Sequence, residues 1–157
     1  WPLDQYANLL RRLAHAFSGH RLVILGAGSN PALSSLANEL PRAVDLSGAT
    51  TLPQACCLIA GADLSISGDT APAHIASAVG TPALAVMGGG HYGRFFPYPA
   101  AHDHCENVAL THEMPCFQCN WACRYRWFRE TPAPCVANVS VDRVFDAASR
   151  LLQSSGR

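Results

Sequence analysis

The chain has 157 residues, of which 49% are apolar and 14% charged, and its 11 basic and 11 acidic side chains cancel. That length suits one domain, the apolar share excludes a disordered tail, and the zero net charge excludes a protein that holds nucleic acid by neutralising many phosphates. Every basic residue is Arg, so no Lys stands ready for a Walker phosphate loop, a Schiff base or a pyridoxal cofactor.

Leu3 to Phe17 carries Tyr6, Leu9, Leu10, Leu13 and Phe17 at helical spacing between Pro2-Leu3-Asp4 and Ser18-Gly19, which predicts an amphipathic helix. Arg21 to Leu25 is a short apolar run ending at Gly26 and reads as a strand buried on both faces of a parallel sheet. Asn30-Pro31 opens a helix to about Leu40, because Asn caps well and Pro is tolerated at the first helical position. A strand follows at Ala43 to Asp45. Thr51-Leu-Pro-Gln54 has the form of a capping box, and its helix runs to Ala60 before Gly61. Leu64 to Ser67 is the third strand, Ala71 to Val79 the next helix with Gly80 behind it, and Pro82 to Met87 the fourth strand. Short connections between alternating elements predict an α/β fold: a Rossmann-like parallel sheet with helices on both faces and right-handed crossovers.

Residues 88–135 break the pattern, being rich in Gly, Pro, His, Cys and aromatics. An irregular segment of that length is expected to hold a weak strand near Asn107 to Leu110 and to pack through its aromatics. The last helix, 140–153, starts at Ser140 and stripes one face with Val141, Val144, Phe145, Ala148, Leu151 and Leu152. Residues 1–157 therefore read as a single domain.

No apolar run approaches the roughly 18 residues of a membrane span, and no basic-then-apolar leader opens the chain, so a soluble protein is expected. Because it opens on Trp1 rather than Met, the sequence is expected to be an excerpt of a longer chain. Seven Cys is an odd count, and Cys56 and Cys57 sit inside a helical pattern, which disfavours a secreted disulfide framework and favours the cytoplasm. The low charge content suggests that a partner subunit or a second domain covers part of the surface.

In an open parallel sheet, ligands bind beyond the carboxyl ends of the strands, which points to Gly26 to Asn30, Leu46 to Thr51, Gly68 to His74 and Gly88 to Arg94. Gly68-Asp-Thr-Ala-Pro-Ala-His74 joins a strand to a helix N-terminus, where free N–H groups favour a phosphate. Thr70 and His74 share a helix face there, while Asp69 would fix the turn by accepting backbone N–H bonds. The competing reading has Asp69 or Thr70 merely capping the helix and His74 packing. Gly88-Gly-Gly90 would let backbone N–H groups of Gly89 approach a phosphate, with His91 and Arg94 nearby, or is a plain turn. Gly26-Ala-Gly28 with Asp45 hints at a dinucleotide site, but the third Gly of that fingerprint falls at Pro31.

Cys116, Cys119, Cys123 and Cys135, with His102, His104 and His112 upstream, have the composition of a zinc or iron-sulfur site, yet lack a second C-x2-C pair. Reduced packing thiols and no metal are expected. Trp121, Tyr125, Trp127 and Phe128 alternate with Arg124, Arg126 and Arg129, a mixture suited either to anionic headgroups at a membrane face or to Arg stacking in a small core.

Trp1-Pro-Leu, the strand ending in Gly26-Ala27, Asp45-Leu-Ser-Gly48 with Thr50-Thr51-Leu52, Ala60-Gly-Ala-Asp63, and Ser67-Gly-Asp-Thr-Ala-Pro-Ala-His74 leading to Gly80-Thr-Pro82 together resemble the ADP-heptose lipopolysaccharide heptosyltransferase family, glycosyltransferase family nine. The Asp-Thr-x-x-x-His element with Gly-Thr-Pro behind it is the specific part. The likeness is to the C-terminal half of that family, close from Trp1 to Met87 and looser through the Cys-rich segment.

The resemblance implies half of a GT-B enzyme, with an N-terminal acceptor domain outside this chain. It places Asp69, Thr70, Ala71 and His74 around the diphosphate and sugar of a nucleoside-diphosphate sugar such as an ADP-sugar, Asn30 by the ribose and Thr50 by the base. Ala71 stands where the family usually has Gly, and Asn30 where an acidic ribose ligand is often found. It implies inverting transfer of a heptose-like sugar to a glycan or lipid-linked, lipopolysaccharide-type acceptor at the cytoplasmic face of the inner membrane, without a cofactor. The catalytic base belongs to the other domain, so this chain is expected to bind donor without turning it over. A noncatalytic nucleotide-binding module and an NAD-type oxidoreductase cofactor domain are the competing readings.

Overall fold

The computed structural model describes residues 1–99, 105–125 and 131–154. In chain order these form α1 (Leu3–Ala16), β1 (Leu22–Ile24), α2 (Pro31–Glu39), β2 (Ala43–Asp45), α3 (Leu52–Ala60), β3 (Ser65–Gly68), α4 (Ala71–Val79), β4 (Ala83–Val86), a 3-10 turn (Gly89–His91), β5 (Asn107–Leu110), α5 (Pro134–Ala137) and α6 (Val141–Ser154). The helices begin where local chemistry lets them. Asn30 Oδ1 accepts from the N–H groups of Ala32 and Leu33 at 3.0 and 3.4 Å, and Thr51 and Gln54 exchange side-chain and backbone bonds in a capping box. Gly80 ends α4 with φ +80, and a Cβ added there would meet nothing within 4 Å, so its backbone angle rather than crowding favours glycine there.

All strand pairs are parallel. β1 pairs with β2 through Leu22 opposite Ala43 and Ile24 opposite Asp45, and β4 lies between β3 and β5, with Gly68 opposite Val86 and Val86 opposite Leu110. β4 is the centre of the molecule, and its residues Ala83 to Val86 are at most 1% exposed. Its side chains alternate between two cores, as the pleat requires. Leu84 and Val86 join Leu9 and Leu13 of α1 and Val144, Ala148 and Leu151 of α6. Ala83, Ala85 and, just beyond the strand, Met87 join Ile59 of α3, Ala73 and Ala76 of α4, and Phe96. Helices thus cover both faces of the larger sheet, and the Ala-on-Ala contact brings α4 close to it.

Two expectations are corrected. β1 is not buried on both faces, because Val23 is 40% exposed; the two-stranded β1–β2 sheet has no further strand hydrogen-bonded to it among the described residues. α5 and the 3-10 turn interrupt the supposedly irregular segment, and neither is long enough to show a helical period. The parallel register sets the site: with Gly68 beside Val86, the turn into α4 and the Gly88 loop leave the same edge of the sheet.

Candidate functional site

The turn between β3 and α4 is built around one carbonyl. Gly68 C=O accepts from the Ser67 hydroxyl and from Thr70 N–H, both at 2.9 Å. Among the described residues no hydrogen bond reaches the Asp69 carboxylate, so the expectation that Asp69 fixes the turn is corrected: Gly68 does so. Thr70 occupies the N-cap of α4 in extended conformation, yet its side chain makes no capping bond. The reason is chemical. Pro72 has no N–H to offer, and Ala73 N–H goes to the Thr70 carbonyl at 3.1 Å. The exposed Thr70 hydroxyl keeps only a long contact, 3.5 Å, with Gly68 C=O. A side-chain capping role for Thr70 is thereby also corrected.

His74, half-buried one turn into α4, stands between the competing readings. Its Nδ1 lies 2.8 Å from the Tyr98 hydroxyl, and its ring meets Phe96 and Tyr98 edge-on, with centroids 6.1 and 5.9 Å away. Nε2 meets no hydrogen-bonding group among the described residues. Tyr98 was not among the expected site residues. It lies 24 positions along the chain in the irregular segment, and no spacing rule connects it to His74.

At the neighbouring β1 and β2 ends, both oxygens of Asp45 accept hydrogen bonds. Oδ2 accepts from Ser34 Oγ–H and Oδ1 from Ser47 N–H at 2.9 Å, and the Ser34 and Ser47 bonds hold its carboxyl below the usual range for Asp. Asn30 uses its side-chain oxygen to cap α2. Thr50 is half-buried, immediately before the N-cap of α3.

The Gly-rich loop after β4 has a role that its sequence concealed. A Cβ on Gly88, Gly89 or Gly90 would stand 2.6 Å from Trp121, 2.8 Å from Phe117 and 3.0 Å from Trp121, respectively. These glycines let the Cys-rich segment lie directly on the backbone, and Gln118 and Asn120 donate to Gly89 and Gly90 C=O at 2.9 and 3.0 Å. Gly89, expected beside a phosphate, is buried beneath Phe117. Trp121 Nε1–H donates to His91 Nδ1 at 3.0 Å, which leaves the His91 proton on Nε2 to reach Asn120 Oδ1 at 2.7 Å. Arg94 donates to the same oxygen at 3.0 Å and stacks over Phe95. Gln118, Asn120 and Trp121 all adopt positive φ, from 51° to 62°, a conformation that costs ordinary residues about 1 to 2 kcal/mol.

Cys116, Cys119, Cys123 and Cys135 line one cavity together with His112. All are free thiols, and among the described residues no three His, Cys, Asp or Glu side chains stand where they would hold one ion. His102, His104, Arg126, Trp127, Phe128 and Arg129 lie outside the described residues. Among the described residues, no helix is long and apolar enough to cross a membrane.

Among curated proteins none matches the chain. Of solved structures, the glycosyl transferase family 9 protein from Veillonella parvula DSM 2008 is similar at 19% identity and a TM-score of 0.68, over 98% of this chain and 42% of that one. The E. coli ADP-heptose lps heptosyltransferase II is similar at 21% identity and a TM-score of 0.66, over 100% of this chain and 43% of that one. The chain therefore spans about two fifths of the length of each, and at these identities the likeness is one of fold. The family model described as glycosyltransferase family 9 (heptosyltransferase) matches residues 1–123, which include the β3–α4 turn, Tyr98 and the Gly-rich loop, and the chain belongs to that family.

Proposed function

We propose that this chain is the donor-binding half of an inverting glycosyltransferase that moves a heptose-like sugar from a nucleoside-diphosphate sugar, with ADP the favoured nucleotide, to a glycan or lipid-linked acceptor. The observation that carries this reading is the Thr70 hydroxyl. It stands exposed at a helix N-terminus without being spent on capping, beside a histidine whose Nε2 has no described hydrogen-bond partner. Family membership adds the class of reaction.

In the proposed step an acceptor oxygen forms a bond to the anomeric carbon while the bond from that carbon to the diphosphate oxygen breaks, and the electron pair leaves with the nucleoside diphosphate. The acceptor proton passes to a carboxylate base on the N-terminal domain. This chain's part is to hold the departing charge. The α4 N-terminus, with the Ala71 N–H unengaged among the described residues, supplies a partial positive charge. Thr70 O–H and His74 Nε2–H supply hydrogen bonds that strengthen as negative charge gathers on the leaving oxygens. Asn30 and Thr50 face the nucleoside end in this reading, whereas Gly89, covered by Phe117, is left out of the site. The acceptor domain and any membrane contact lie, in this reading, outside this chain.

Calorimetry of this chain with ADP, UDP, GDP and NAD tests the assignment. ADP is expected to bind without turnover, and Thr70→Val is expected to weaken it while leaving stability within about 0.5 kcal/mol of the starting value, because the exposed Thr70 hydroxyl makes no capping bond and the extended backbone there suits Val. Failure of all three diphosphates to bind at millimolar concentration overturns the site, and tighter binding of NAD than of ADP favours a cofactor domain instead.

A further inference from the structure

We propose that Tyr98 is a positioning residue for the donor diphosphate: its phenol O–H donates to His74 Nδ1 and so keeps the imidazole proton on Nε2. The inference rests on the donor-site reading above and adds to it the residue that determines what His74 presents to a ligand.

A neutral imidazole has one N–H and one lone pair, and the partner of one nitrogen decides the state of the other. Tyr98 Oη lies 2.8 Å from Nδ1. If Nδ1 accepts the phenol proton, Nε2 carries N–H and offers a donor to a phosphate oxygen. The opposite tautomer would aim a lone pair at the same anion and repel it, so only the first arrangement serves an anionic ligand. Packing holds the phenol in place. His74, Phe96 and Tyr98 meet pairwise edge to face, with centroids 6.1, 5.9 and 6.0 Å apart and interplanar angles of 90°, 75° and 78°. Phe96 is fully buried, and its carbonyl accepts from Gly93 N–H at 3.0 Å. The segment that follows the Gly-rich loop is thereby tied to α4 through His74.

Tyr98→Phe retains the ring and both edge contacts and removes one oxygen. ADP affinity is expected to fall about fivefold, the worth of one ordinary hydrogen bond, while adenosine affinity stays unchanged. In nitrogen-15 spectra of histidine-labelled protein, the His74 Nδ1 resonance is expected to show an imine nitrogen accepting a hydrogen bond, and to move to the unbonded imine position in Tyr98→Phe. A purely structural tyrosine would lower the melting temperature and weaken both ligands alike. If the wild-type chain and Tyr98→Phe bind ADP equally while His74→Ala does not, Tyr98 has no positioning role and the donor site stands. If the wild-type chain fails to bind ADP, the donor-site reading falls first and this inference falls with it. Should Tyr98→Phe fail to fold, the wild-type spectrum decides alone: a proton on Nδ1 in the ligand-free neutral ring overturns the proposal.

Discussion

A methyl group at position 88 would stand 2.6 Å from Cη2 of Trp121, far inside the carbon–carbon optimum of about 3.5 to 4.0 Å. Gly88 has φ −77 and ψ 147, angles open to any residue, so Gly88→Ala meets no backbone penalty and the ring contact decides the outcome. Trp121 cannot withdraw freely. Its Nε1–H is bonded to His91, its own φ is +62, and the same ring covers Gly90. Overpacking of this kind costs about 1 to 3 kcal/mol, and breaking the Trp121–His91 bond adds about 1 kcal/mol. The lower chain entropy of Ala in the unfolded state returns about 0.4 to 1 kcal/mol. The expected net loss is about 2 kcal/mol, or roughly 4 to 8 °C in Tm for a chain of this size. Denaturant unfolding of Gly88→Ala, Trp121→Ala and the double variant measures it as a cycle. In the Trp121→Ala background the methyl group has room, and Gly88→Ala is expected to be neutral or slightly stabilising. Equal losses in both backgrounds would refute the argument that this glycine exists to seat Trp121.

Asn30→Ala removes the oxygen that caps α2 and is expected to cost about 1 kcal/mol in denaturant unfolding; an unchanged midpoint would show that the cap contributes nothing. Asp45, whose folded carboxyl titrates below its ordinary value because of Ser34 and Ser47, contributes stability that is present above its unfolded pKa of about 3.9 and lost as pH falls through the lower folded value. Asp45→Asn is therefore expected to flatten the acid limb of the stability profile, and an unaltered acid limb would contradict the assignment.

The α/β alternation was legible because each element carries its own local punctuation: Asn30-Pro31 before α2, the Thr51–Gln54 box before α3 and Gly80 after α4. The β3–α4 turn was legible as a place, since the carboxyl ends of parallel strands gather ligands. Its internal wiring was less so, although one signal was present. Pro72 deprives Thr70 of a capping partner, and a proline two residues after a cap can be read from sequence alone. The burial of Gly88 to Gly90 under Phe117 and Trp121, and the bond from Tyr98 to His74, join residues far apart in the chain. Such contacts depend on how the long segment folds back, which no local period encodes.

The most direct test of the account is the difference between ADP and adenosine binding in this chain and in His74→Ala, measured by calorimetry on folded protein. If His74 Nε2–H meets the diphosphate, His74→Ala weakens ADP by about 1 to 3 kcal/mol, the range for hydrogen bonds to a charged group, and weakens adenosine far less. Equal losses for the two ligands, or none for either, would contradict the claim that the turn between β3 and α4 holds the donor's phosphates.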